Sequence, residues 1–204
     1  MGQYYKICLL NSKKKSYPNK KKVAAYLQSW DYEIGAKLME FSWIGNNLVG
    51  RLESLINKES GKYAGYPVIV AGDYADEEPN TLNGKKWNIY ELAGFGHQIT
   101  PKEAPEPKHY RYVINEDKKV FIDCTRMKVC DTTEWKGEKH TWQVHPLTIL
   151  CSDGCNGGDA RGGGDYDTKH REVGAWRRNV VVVSDNRPNE SEYREVFYNF
   201  YEKF

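Results

Sequence analysis

Hydrophobic residues in this chain fall into short β-branched or aromatic runs and one longer helical stripe. Gln3 to Leu10 (QYYKICLL) is a run of the first kind and ends at Asn11-Ser12, which predicts a first strand. Val23 to Trp30 fits either a short strand or a short helix. From Gly35 to Asn57, Met39, Trp43, Leu48, Val49, Leu52, Leu55 and Ile56 recur at 3.6-residue spacing, interrupted at Gly45-Asn46-Asn47. This predicts the main helices, with Asn46 or Asn47 capping the second and the Met and Trp positions in the core.

Pro67 to Gly72 reads as a buried strand running into an acidic turn, Gly72 to Pro79. Asn83-Gly84 marks another turn, and Lys86 to Leu92 fits a strand or a short helix. Residues 100–108 (TPKEAPEPK) hold three of the eight prolines and are the best place for a subdomain boundary. Tyr110 to Ile114 and Val120 to Asp123 predict a β-hairpin. Thr141 to Cys151 is a strand candidate in which Pro146 demands an edge or a break. Asn179 to Ser184 is a strand, and Tyr193 to Tyr201 an aromatic-rich strand or helix. The expected fold class is α+β: a single domain over 1–204 with an antiparallel-rich sheet and its main helices near the N-terminus.

Composition narrows the field without naming a task. The 204 residues include 6 Trp, 15 Tyr and 6 Phe, too many aromatics for a disordered chain. The longest aliphatic run, Val180 to Val183, is far short of the roughly 20 residues of a membrane helix. With no apolar leader at the N-terminus, the expected location is cytoplasmic, or the host cytosol for a viral protein. Thirty basic and 28 acidic residues nearly balance, so no global field advertises nucleic acid. The local exception is a strip of six lysines within Lys13–Lys22, which suits a phosphate backbone but more simply a hydrated loop.

Five cysteines are an odd number and favour free thiols over a disulfide framework. Cys124, Cys130, Cys151 and Cys155 form two spaced pairs, a weak alternative zinc site whose spacings miss the usual C-x2-C knuckle. Apart from that, the sequence names no metal and no cofactor.

The unusual segment is Cys151 to Asp167, with six glycines in positions 154–164. Such a run lets backbone amides converge on an anion, though it fits neither nucleotide-binding fingerprint, and a plain surface loop competes evenly. Arg161 and Gly162, Gly163 and Gly164 are its candidate ligand contacts. Trp176, Arg177 and Arg178 follow, an indole beside two guanidiniums, suited to stacking a ring and pairing a phosphate. Tyr4, Tyr5 and Tyr74 are further stacking candidates. Asp73, directly after a buried strand, His145 and Asp165 form the catalytic candidates if the protein is an enzyme, which the sequence leaves open.

With these segments collected, the chain resembles a family of uncharacterised proteins from bacteria, phages, large DNA viruses and fungi. The resemblance rests on GQYYK (2–6), GAKLMEFSWIGN (35–46), VIVAGDYAD (68–76), YRYVINEDKKVFID (110–123), HPL (145–147), GGGDY (162–166) and VGAWRRN (173–179). It implies that Gly2, Tyr4, Tyr5, Gly72, Asp73, Tyr74, Gly164, Asp165 and Trp176 are the motif positions. The viral and phage relatives imply a sequestering, anti-defence role by analogy.

These readings converge on a protein that binds a small anionic ligand, a nucleotide or nucleotide-derived signal. The alternatives are a metal-assisted hydrolase or transferase for a similar substrate, and a protein-interaction module using the aromatic C-terminal segment. The first depends on 72–76, 152–167 and 173–178 meeting in space.

Overall fold

A computed structural model describes residues 3–11, 21–79, 81–129, 132–135, 138–154, 172–198 and 200. In chain order the elements are β1 (Tyr5–Leu10), β2 (Val23–Gln28), α1 (Leu38–Phe41), α2 (Asn47–Ile56), β3 (Pro67–Gly72), β4 (Thr81–Leu82), β5 (Lys85–Lys86), α3 (Ile89–Leu92) and β6 (His97–Gln98). There follow β7 (Tyr112–Asn115), β8 (Val120–Asp123), β9 (Thr132–Trp135), β10 (Glu138–Thr141), α4 (Pro146–Leu150), β11 (Ser152–Asp153), β12 (Asn179–Ser184) and β13 (Arg194–Glu195).

Nine strands form one mixed sheet in the order β13-β8-β7-β12-β3-β1-β2-β6, with β11 attached to β3. The long pairings are antiparallel, while the two-residue strands β6, β11 and β13 join in parallel. β3 is buried along its whole length. One of its edges pairs with β1; the other is shared, with β12 facing Pro67–Val68 and β11 facing Val70–Ala71. β12 then continues along β7 through Val181 to Ser184, joining the two halves of the sheet.

Strand alternation sorts side chains between the faces. Tyr5, Ile7, Leu9, Val68 and Val70 join the main core under α2 and α4, where Leu48, Leu52, Ile56, Leu147 and Leu150 are buried. Cys8, Leu10, Ile69 and Ala71 face the other way and are covered by Ile89, Leu92 and Ala93 at α3. Helices thus cover both faces of β3, and its continuous apolar run PVIVAG follows from that.

Several expectations needed correction. The four helices are spread from Leu38 to Leu150 rather than gathered near the N-terminus. α1 stops at Phe41 because the next residues turn to extended backbone: Trp43 bridges Val144, and the Ile44 amide donates to Gln143. Met39 is consequently exposed, not core. Gly45, at φ +91°, turns the chain so that Asn46 caps α2, its Oδ1 accepting from Leu48 N at 2.9 Å and Val49 N at 3.3 Å. Within Thr141–Cys151, residues 146–150 are helical. Pro146 stands at the first turn, where no amide is needed, and His145 Nδ1 accepts the Leu147 amide. Tyr193 to Tyr201 contributes only the two residues of β13 among the described ones.

Residues 104–110 are laid along α2. Arg51 donates to Pro105 O at 2.8 Å, Ser54 Oγ to Glu106 O at 2.9 Å, and the Lys108 amide to Gly50 O at 3.2 Å. Strands of the nine-stranded sheet lie on both sides of this segment in sequence. No helix among the described residues is long and apolar enough to cross a membrane.

Asn46→Ala removes the α2 cap and is expected to lower stability by about 1 kcal/mol in urea denaturation, with an unchanged slope.

Candidate functional site

β3 ends at Gly72, and three other parts of the chain meet it there. Tyr4 is tied to Asp73 twice: the Asp73 amide donates to Tyr4 O at 2.9 Å, and the Tyr4 amide to Asp73 Oδ1 at 3.1 Å. A Cβ placed on Gly72 would meet Gln3 Nε2 at 2.4 Å, from the β1 side, and Gly154 Cα at 3.1 Å, from the opposite edge. Only a residue without a side chain lets these backbones approach so closely. Asn88 Nδ2 donates to Asp73 O at 3.0 Å and fixes the turn onto α3.

Beside this junction lies an ion-pair network. Glu78 is buried and paired with both Lys22 and Arg178. Asp153 lies 3.6 Å from Arg177 Nε and 3.9 Å from Arg178 Nη2. Burial pushes the Glu78 carboxyl up, but Arg178 and Lys22 outweigh it and hold the group below the usual carboxylate range. Arg178 is at φ +63°, held there by the hydrogen bond its amide donates to Val68 O at 2.8 Å and by its ion pair with Glu78. The network sets three cations against two carboxylates.

The aromatic groups divide sharply. Tyr4 (41% exposed) and Trp30 (49%) stand edge to face at 5.3 Å, and Tyr74 is 47% exposed. Beneath them Lys6 Nζ lies 4.0 Å from the Tyr90 ring centre and donates to Tyr90 O at 3.2 Å; burial pushes its ammonium down. Tyr5 and Trp176, expected as stacking faces, are both in the core. Tyr5 points to the α2 face by strand alternation and donates its hydroxyl to Gln3. Trp176 is 0% exposed and packs edge to face with Tyr198; its indole N–H has no partner among the described residues.

His145 belongs to a different cluster. Its Nδ1 accepts the Leu147 amide, which leaves Nε2 as the donor, 3.3 Å from Glu53 Oε1. Glu53, fully buried on α2, also receives His109 Nδ1 at 2.8 Å on Oε2 and the Tyr110 amide at 3.4 Å on Oε1. Burial pushes the Glu53 carboxyl up, yet the pull of His145 and the hydrogen bonds from both imidazoles hold it below its ordinary value. With both ring nitrogens occupied and 2% exposure, His145 is a core hydrogen-bonding residue rather than a general base. It shares no partner with Asp73 among the described residues. Glu53 and His109 were missed by sequence reasoning; the one visible signal is a carboxylate inside the apolar stripe of α2.

The remaining candidates resolve simply. Arg161, Gly162, Gly163, Gly164, Asp165, Cys130 and Cys155 lie outside the described residues, as do Gly2 and most of the lysine strip. Cys124 and Cys151 are buried free thiols that burial holds protonated, and no cluster of three His, Cys, Asp or Glu able to hold a metal occurs among the described residues. A cleft of about 310 Å³ lies elsewhere, lined by Asp31–Ile34, Asn47, Arg51 and Pro101. Of the stretches 72–76, 152–167 and 173–178, Gly72 lies against Gly154 and Asp153 pairs with Arg177 and Arg178; Glu78, beyond the first stretch, reaches Arg178, and residues 155–167 lie outside the described residues.

Comparison with models of protein families, with curated proteins and with solved structures gives no match in any of the three.

Glu53→Ala leaves two imidazoles facing a void and is expected to cost about 3–5 kcal/mol in chemical denaturation, whereas Asp73→Asn, which keeps an acceptor for Tyr4, costs under about 1 kcal/mol. The stability contributed by ionised Glu53 is present above the ordinary glutamate value of about 4.3 and disappears as pH falls through the depressed folded value. Wild type should therefore lose stability in acid by a step that Glu53→Ala lacks.

Proposed function

We propose that the chain binds a small anion carrying a planar ring, of the nucleotide class, at the sheet end where Tyr4, Asp73 and Tyr74 approach Asp153 and Arg177. The observation that carries this reading is the convergence of segments distant in sequence upon Gly72. Tyr4, just before β1, is paired with Asp73, and Asp153 on β11 with Ala71 two residues back along β3, which puts them roughly 12 Å apart by strand spacing and rise. That separation suits a ring at one end and a phosphate at the other.

Each part has a role in this reading. Arg178 is committed to Glu78 and serves the fold. Arg177 is the recruitable cation: its guanidinium is 35% exposed, lies 3.6 Å from Asp153 through Nε and donates Nη1 to Gly174 O at 3.2 Å. A bound phosphate replaces the Asp153 contact with a charge-assisted, bidentate one. Tyr4 and Trp30 offer the stacking surface, with Tyr74 at its rim. Gly154, the one described glycine of the glycine-rich run, lies against Gly72 beside this place.

Thermal-shift measurements with AMP, ADP, cyclic nucleotides and ADP-ribose test it. Ligand at a hundredfold excess over its Kd stabilises by about 2.7 kcal/mol, a readily measured rise in Tm. Arg177→Ala and Tyr4→Ala are expected to abolish that rise, while Met39→Ala on α1 retains it. No stabilisation by any of these ligands removes the reading.

A further inference from the structure

Arg51 is a cation with an unused edge. It stands one turn into α2, on the same side of the helix as Asn47, and both line the cleft of about 310 Å³. Its Nη1 donates to Pro105 O at 2.8 Å and to Ala104 O at 3.4 Å, and the guanidinium carbon lies 5.7 Å from the centre of the Tyr32 ring. These contacts hold the group in place without neutralising it. Among the described residues no carboxylate pairs with Arg51, and Nε and Nη2 have no partner. The Nε–Nη2 edge is a fork that takes a carboxylate through two parallel hydrogen bonds.

Another wall of the cleft comes from the turn after β2. Ser29–Tyr32 forms a single 3-10 turn, and Glu33 follows at φ +59°, its amide donating to Trp30 O at 3.2 Å. Tyr32 ties this wall to the chain beyond β6, donating its hydroxyl to Ile99 O at 2.7 Å. Of the two acids here, Asp31 accepts from Gln98 Nε2. The Glu33 carboxylate is exposed and has no partner among the described residues. Tyr32, Ile34 and Pro101 supply apolar surface.

Charge selects among ligands for such a place. A phosphate would meet the guanidinium but also two carboxylates, and a simple cation would meet Arg51; each like-charge approach is unfavourable. A molecule carrying one charge of each sign satisfies both walls. The volume lies at the small end of the range for small-molecule sites, about 300–1,000 Å³.

We propose that this cleft binds a free amino acid with an apolar side chain. Its carboxylate pairs with the Nε–Nη2 edge of Arg51, its ammonium with Glu33, and its side chain lies against Tyr32, Ile34 and Pro101. None of these residues belongs to the sheet-end site, so the proposal stands or falls apart from the nucleotide reading.

Calorimetric titration and amide NMR of the full chain with L-leucine, L-methionine and L-phenylalanine test it, at concentrations up to about 10 mM, enough to fill a site with a Kd of about 1 mM. Saturable binding is expected, with shifted amides centred on residues 31–34 and 47–51. L-leucinamide, which lacks the carboxylate, and N-acetyl-L-leucine, which lacks the ammonium, are each expected to bind at least about tenfold more weakly than L-leucine. Arg51→Lys keeps the charge but not the fork and is expected to weaken binding at least about tenfold. Because Arg51 also holds Pro105, Glu33→Gln provides a check at an exposed side chain with no bond to lose, and weaker binding is expected there too. The proposal is overturned by absence of saturable binding of all three amino acids, by undiminished binding of either blocked leucine, by undiminished binding in Glu33→Gln, or by shifts centred on the sheet end instead.

Discussion

β3 is a strand with no free side. Helices cover both faces, β1 takes one edge, and β11 and β12 divide the other. A buried strand must satisfy every backbone amide and carbonyl, because an unpaired one in the interior costs about as much as a lost hydrogen bond. The chain therefore returns to β3 from three distant places. Residues 150–153 and 176–180 compete for the same edge and settle head to tail along it. The closeness of Gly154 and Arg178 to β3 is a consequence of backbone pairing, before any ligand is considered.

The same crowding explains how charge is handled. Among the described residues two glutamates are buried, Glu78 beside the sheet end and Glu53 on α2, and each is held ionised by two nitrogen-bearing side chains. The solutions differ in kind. Glu78 is met by an ammonium and a guanidinium, those of Lys22 and Arg178. Glu53 is met by two imidazoles, one sealed and one within reach of water, so its surroundings respond to protons. A carboxylate in a low-dielectric interior strengthens its attraction for either kind of partner.

Much of the strand pattern was legible. Asn179 to Ser184, Pro67 to Gly72 and the Tyr110–Asp123 hairpin sit where their β-branched runs place them, because such runs have little use except inside a sheet. Asn46 was readable as a cap, since a short acceptor before an apolar stripe has a local task. Residues 42–44 misled, because pairing with 143–144 overrides a helical stripe, and propensity does not contain the partner strand. Trp176 misled in another way: beside two arginines it read as a stacking face, but its neighbours in space are Cys151 and Tyr198, not its neighbours in sequence.

By itself, the sequence determined the strands within Gln3–Leu10, Pro67–Gly72, 110–123 and Asn179–Ser184 and the cap at Asn46, since these depend on neighbours a few residues away, while it left Val23–Trp30 open between strand and helix. Only the tertiary structure decided that Arg178 pairs with Glu78 while Arg177 does not, that Tyr4 faces water while Tyr5 does not, and that Glu53 gathers His109 and His145. Each of those outcomes depends on a partner 56, 92 or 100 positions away, or on which face of the sheet a neighbour covers. Local pattern carries no record of either.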